Sequence, residues 1–99
     1  MMRAASTTII LDAREWESFR DIYAAMLPAL CAPEWHGPNL DAVYDALVAG
    51  HYRFTPPLLV TVTGVAQANE AVRAYLARLV TVFDDARADY GVAATLRVA

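Results

Sequence analysis

Residues 33–47 read PEWHGPNLDAVYDAL and join a short loop to the beginning of a helix. Two prolines and a glycine surround an aromatic pair, and this composition predicts a loop over residues 33–38. Asn39 is among the residue types preferred at a helix N-cap, so we predict a helix over residues 40–49. Gly50 then supplies the usual C-terminal stop. The stretch therefore predicts one helix whose start is held by the loop in front of it.

The predicted helix has two different faces. Its apolar face consists of Leu40, Val43 and Leu47. On another face, Asp41, Tyr44 and Asp45 occupy positions i, i+3 and i+4. The helix dipole stabilises a carboxylate in the first turn, which accounts for Asp41 by itself. Asp45 lies one turn further on, where like charges repel by roughly a few tenths of a kcal/mol and no basic residue of the helix relieves them. The pair therefore favours a cationic partner.

Two aromatic residues accompany these carboxylates. Trp35 lies in the loop, and Tyr44 shares the acidic face of the helix. Half-buried packing is one interpretation of both rings. The other is binding, because Trp and Tyr beside charged groups are typical of interaction hot spots.

Outside this stretch, strand and helix patterns alternate. Runs rich in β-branched residues predict buried strands over residues 7–11, 58–62 and 92–98. Apolar residues at helical spacing predict a first helix, with Ser18 as N-cap and Asp21 in a capping-box position, and a long last helix over residues 70–88. Strands separated by helices require crossover connections, so we predict an α/β fold with a parallel sheet covered by helices.

Length and composition limit the possible classes of protein. A chain of 99 residues has room for one domain, which we predict to span residues 1–99 with a flexible tail over residues 1–6. Eight basic against eleven acidic residues give a net charge of −3, which argues against a nucleic-acid-binding protein. The longest uncharged run, residues 54–69, contains prolines and a glycine and predicts no membrane span. The single cysteine, Cys31, lies in an apolar run; it predicts a reducing, cytoplasmic location and a small buried side chain.

The acidic residues are unevenly distributed. No basic residue lies between Arg20 and Arg53. The acidic residues of that interval are Asp21, Glu34, Asp41 and Asp45. Such a segment is either a solvated face or a docking surface for a basic partner, because clustered charge of one sign accelerates encounter.

Signals for catalysis are weak. Glu34, His36 and Asp41 have no spacing typical of a metal site, and neither serine lies in a nucleophile motif. We therefore expect neither an enzyme nor a cofactor or metal site.

The motif of residues 33–47 is similar to that of the barstar family of bacterial ribonuclease inhibitors. The family pattern of proline, acid, aromatic, glycine, Asn-Leu-Asp, aromatic and Asp is met by Pro33, Glu34, Trp35, Gly37, Asn39, Leu40, Asp41, Tyr44 and Asp45. A weaker likeness runs from residue 7 to residue 98. The resemblance implies a three-stranded parallel sheet packed by three to four helices.

The resemblance also implies a role for each matching residue. Asp45 would mimic the scissile phosphate, Asp41 would pair with a second cation, and Trp35 would stack on the enzyme's catalytic histidine. Gly37 would allow a close approach of the loop, and Asp85, or Asp84 in its place, would make a peripheral contact. The implied partner-binding set is Trp35, His36, Gly37, Asn39, Asp41, Ala42, Tyr44, Asp45 and Asp85. His36 stands where the family has a second aromatic residue, and its protonation in mildly acidic solution would weaken attraction to a cationic partner.

Two functions follow as hypotheses. The first is a cytoplasmic inhibitor, of the antitoxin or immunity type, that occludes the active site of a small basic ribonuclease or related toxin domain. The alternative is a non-inhibitory interaction module that binds another basic protein or itself. For the inhibitor we expect a free monomer that binds neither nucleic acid nor membrane.

Overall fold

A computed structural model of the chain describes residues 6–99. The predicted flexible tail, residues 1–6, therefore lies outside the described residues except for its last member. The elements follow in the order β1 (Thr7–Asp12), α1 (Phe19–Ala29), α2 (Leu40–Ala49), β2 (Leu58–Thr63), a short 3-10 turn (Val65–Gln67), α3 (Glu70–Tyr90) and β3 (Ala94–Val98).

The three strands form one parallel sheet in the order β1-β2-β3. In the middle of the sheet, Ile9 pairs with Val60, which pairs with Leu96. The predicted α/β fold with a three-stranded parallel sheet is thus confirmed, and three α-helices accompany it among the described residues. The third strand begins two residues later than predicted, because the turn after α3 occupies residues 92 and 93.

The core lies between the sheet and the helices. One stripe of α3 is buried, and it consists of Val72, Leu76, Leu79, Phe83 and Ala86. From α2 the buried side chains are those of Val43, Ala46 and Leu47, and this helix packs against α3. Because that face of α2 is used in the core, the opposite face is presented to solvent.

The sheet is less completely covered than the sequence predicts. Along β1, half-buried and exposed positions alternate, and Thr8, Ile10 and Asp12 lie exposed on the same face. The exposed fraction of Ile10 is 68%, so no element of the described chain packs over this edge of the sheet. Helices therefore cover one face of β1 and leave the other open, which corrects the expectation of a buried strand over residues 7–11.

The predicted helix starts agree with the structure. Ser18 caps α1, and its capping box with Asp21 is complete. The side chain of Asn39 accepts a hydrogen bond of 2.7 Å from the backbone N–H of Ala42 at the start of α2. Gly50 ends α2 with a left-handed φ of 76°, a conformation that glycine adopts without steric cost.

The end of α1 is formed by an arrangement that the sequence does not reveal. The helix continues one residue beyond Pro28 and then closes with a Schellman motif, in which Cys31 N–H bonds to Pro28 O and Ala32 N–H bonds to Leu27 O. Cys31 occupies the left-handed position of this motif, with φ 53°, and it is exposed. The expectation of a buried Cys31 is therefore wrong, because the turn points this side chain to solvent.

Replacing Cys31 by glycine is expected to stabilise the fold. A side chain in the left-handed region costs free energy that glycine avoids, so Cys31→Gly should raise the free energy of unfolding by about 0.5–1 kcal/mol. Urea denaturation measures the change. The control is Cys31→Ala, which removes the thiol, keeps the Cβ atom and should leave the stability nearly unchanged. Equal stability of the Gly and Ala variants would contradict the prediction.

Candidate protein-binding surface

The solvent-facing side of α2 carries two carboxylates. Asp41 and Asp45 are exposed, and neither forms a salt bridge within the described part of the chain. Arg78 of α3 lines the same shallow depression as Asp41 without reaching ion-pair distance. Ala42 lies half-buried between the two acids, with its N–H engaged by the capping side chain of Asn39. The helix thus displays two negative charges that no cation of residues 6–99 neutralises.

The loop before α2 exposes a large aromatic side chain. Trp35 is 70% exposed, the highest value for a large apolar residue among the described residues. Its ring meets the imidazole of His51 edge to face, with 4.9 Å between centroids and 83° between planes. His51 directly follows Gly50, so Trp35 is supported by the segment that leaves α2. Trp35 is thereby held next to the helix while most of its surface remains free.

His36, the neighbour of Trp35, points into the protein and is only 8% exposed. Its Nδ1 lies 2.7 Å from Gly37 O, and its Nε2 lies 2.7 Å from the Tyr52 hydroxyl. A carbonyl oxygen only accepts, so Nδ1 donates to it, and in the neutral ring Nε2 accepts from Tyr52. The two rings stack with 5.4 Å between centroids, and burial raises the pKa of Tyr52 well above its usual value. The ring of His36, which the resemblance implies as a partner-binding residue, therefore braces the loop from inside.

The small size of Gly37 accommodates a side chain within the chain. A Cβ atom at this position would lie 2.8 Å from Nδ2 of Asn39, the side chain that caps α2. The resemblance had implied that Gly37 serves the approach of a partner. In the structure, its small size also leaves room for the cap on which the start of α2 depends.

Removing the Tyr52 hydroxyl should destabilise the protein. In Tyr52→Phe the buried Nε2 of His36 loses its partner, and an unsatisfied buried polar atom costs about 1–3 kcal/mol. We expect the free energy of unfolding to fall by about that amount in urea denaturation. Tyr90→Phe is the matched control, because that exposed hydroxyl bonds to no described residue and its loss should change nothing. Equal stability of the two variants would refute this role of the His36–Tyr52 bond.

Tyr44 connects α2 to the C-terminal end of α3. Its hydroxyl donates a hydrogen bond of 2.8 Å to Oδ2 of Asp89, and its ring meets that of Tyr90 at 6.5 Å and 68°. The bond to the carboxylate holds the phenolic proton and raises the pKa of Tyr44 to about 12. Tyr44 therefore lies at the edge of the acidic face, half-buried against α3.

Sequence reasoning missed Asp89. Its contact with Tyr44 spans 45 residues, so no local pattern reveals it. The available signal was the charge of the last two turns of α3, where Asp84, Asp85 and Asp89 lie at the helix end that disfavours negative charge. Asp84 is neutralised by Arg87, with 2.6 Å between Asp84 Oδ1 and Arg87 Nη2. Asp85 is exposed and has no such partner in the described chain, so of the two it is the carboxylate that remains available.

No three His, Cys, Asp or Glu side chains of residues 6–99 are grouped closely enough to hold a metal ion. Within the same range, none of the helices combines the length and the apolar character needed to cross a membrane.

Comparison with known proteins identifies the family. A family model described as barstar (barnase inhibitor) matches residues 6–98, nearly the whole chain. No curated protein matches the sequence. The matched residues include the whole parallel sheet and the capped second helix. The chain therefore belongs to the barstar family of barnase inhibitors.

Proposed function

We propose that this protein inhibits a small basic ribonuclease, or a toxin domain of that kind, by inserting α2 and its preceding loop into the active-site cleft. The observation that carries the proposal is the pair of exposed carboxylates, Asp41 and Asp45, one turn apart and without a cation from the described chain. A ribonuclease cleft holds cationic side chains for the phosphates of RNA. Two carboxylates on a convex helix offer such a cleft a substitute for those phosphates.

Electrostatics supports each stage of this binding. The net charge of −3 and the base-free segment between Arg20 and Arg53 attract a basic protein at long range and raise the association rate. On contact, burying a carboxylate is unfavourable unless a cation meets it. The surface therefore favours partners whose cationic side chains have the same spacing as Asp41 and Asp45.

The remaining residues of the surface shape the contact. Trp35, with most of its ring free, is suited to stack on an imidazole or to fill the mouth of the cleft. Asp85 adds an exposed carboxylate on the α3 side. Ala42 is small enough to let the helix approach closely between Asp41 and Asp45. His36, Gly37 and Asn39 support the loop and the helix start rather than supplying an exposed side chain.

The test is a titration of the purified protein against a small basic, guanyl-preferring ribonuclease, with RNA cleavage as the readout. We expect activity to fall in proportion to the added protein and to reach zero at a 1:1 ratio. A guanosine monophosphate bound in the active site should compete with the inhibitor, because both occupy the phosphate site. Raising the salt concentration should slow association, since the attraction is screened.

Two results would count against the proposal. If no ribonuclease of this class is inhibited or bound more tightly than micromolar, the inhibitor function fails. A concentration-dependent dimer in gel filtration, broken by Tyr44→Ala, would instead favour the non-inhibitory interaction module.

A further inference from the structure

Tyr90 interrupts an otherwise regular pattern on α3. The buried stripe of this helix advances by four, three, four and three residues and consists of Val72, Leu76, Leu79, Phe83 and Ala86. The next step of four residues leads to Tyr90, the last residue of the helix. Tyr90 is nevertheless 66% exposed. The core-facing stripe thus ends in a large aromatic ring that remains mostly exposed.

The surroundings of Tyr90 are aromatic and negative. Its ring meets that of Tyr44, whose hydroxyl is directed to Asp89, the residue just before Tyr90. Asp85 lies one turn earlier than Asp89 and is exposed. The only basic residue of the last turn, Arg87, is engaged by Asp84 and by the backbone carbonyl of Ala94. Among residues 6–99, no cation is therefore placed over the Tyr90 ring.

We infer that Tyr90 is a partner-binding anchor that receives an arginine or lysine side chain of the ribonuclease, extending the inhibitory surface from α2 to the C-terminal end of α3. The inference rests on the proposed function. An aromatic ring attracts a cation over its face, and the nearby carboxylates of Asp85 and Asp89 reinforce that attraction. The same basic partner that meets Asp45 supplies such side chains, so one protein satisfies both parts of the surface by charge complementarity.

Charge favours this occupant over an apolar one. The Tyr90 ring contacts Tyr44 but stays 66% exposed, and an apolar side chain placed on it would leave the carboxylate of Asp85 without a cation. A guanidinium suits both the exposed ring and the carboxylate, because its planar face stacks on the ring while its N–H groups bond to carboxylate oxygens. Tyr90 thus helps to select which basic protein is bound.

The experiment measures the dissociation constants of Tyr90 variants for the ribonuclease inhibited by the unmodified protein. We expect Tyr90→Ala to bind about tenfold more weakly and Tyr90→Phe to bind within about twofold of the unmodified protein, because the ring is retained. Tyr90→Leu should resemble Tyr90→Ala, since it keeps apolar area without an aromatic face. Ile10→Ala is the matched control: it truncates another exposed apolar side chain, on the open face of the sheet, and should not change binding.

The outcomes separate the inference from the function on which it rests. Thermal unfolding of each variant shows whether a loss of binding reflects a loss of structure. If Tyr90→Ala is folded and binds as tightly as the unmodified protein, the anchor is refuted and the inhibitor function stands. Equal affinity of Tyr90→Leu and Tyr90→Phe would refute the cation as the occupant. If the unmodified protein binds no basic ribonuclease, both the function and the anchor are overturned.

Discussion

Asp45→Ala is expected to weaken binding to the target ribonuclease by more than about 2 kcal/mol, which is roughly a thirtyfold rise in the dissociation constant. The barnase–barstar pair is itself the measured example of such interfacial charge pairs, and this magnitude is adopted from that pair. The physical reason is that the mutation leaves a cation of the enzyme buried without its partner. Asp45 lies at the centre of the exposed face of α2, where no cation of the described chain competes for it.

Two further variants isolate the charge from the shape at this position. Asp45→Asn keeps the side-chain volume and removes the charge, so it should lose most of the same affinity. Glu15→Ala removes an equal charge from an exposed position after β1, outside the proposed surface, and should alter only the association rate, and only slightly. Isothermal titration calorimetry measures the affinity, and stopped-flow fluorescence measures the association rate. A change near zero for Asp45→Ala would remove Asp45 from its proposed role.

Phe83→Ala should have the largest effect on stability. Phe83 is 0% exposed and is the largest side chain of the buried stripe of α3. Removing its ring loses apolar burial and leaves a cavity, at a cost of about 3–5 kcal/mol. Domains of this size unfold with a free energy of about 5–15 kcal/mol, so a large part of the stability is lost.

The measurement is urea denaturation followed by far-ultraviolet circular dichroism. Thr81→Ala is the control on the same helix, because Thr81 is exposed and its hydroxyl only bonds back to the carbonyl of Ala77. Thr81→Ala should change the free energy of unfolding by less than about 0.5 kcal/mol. If Phe83→Ala lowered the free energy of unfolding by less than about 1 kcal/mol, the helix would not be packed on the sheet as described.

Local patterns were sufficient to predict much of this fold. Capping is decided within three or four residues, so Ser18 and Asn39 identified the helix starts correctly. Alternation of strand and helix patterns predicted the parallel sheet, because a crossover leaves few other topologies. The exposed acids of α2 were predictable for the same reason, since the apolar residues of a short helix determine which face is buried.

The features that escaped prediction depend on contacts between distant residues. The interior position of His36 requires Tyr52, and the orientation of Tyr44 requires Asp89. Neither partner is marked by its own neighbourhood in the sequence. Cys31 is a local exception: its apolar neighbours indicate burial, whereas the backbone of the Schellman turn decides where the side chain points.

The ring pairs on either side of α2 hold the proposed binding surface in place. Trp35 rests on His51, and His36 is stacked on Tyr52, so two consecutive residues before the helix are joined to two consecutive residues after it. Both flanks of the helix are thus ordered before any encounter, and ordering a loop on binding would otherwise cost about 1–2 kcal/mol per residue. Because little free energy is lost in ordering the loop, more of the free energy gained from charge pairing and stacking contributes to affinity. Complex formation should accordingly proceed as the docking of two rigid bodies, at a rate set by diffusion and charge rather than by a folding step.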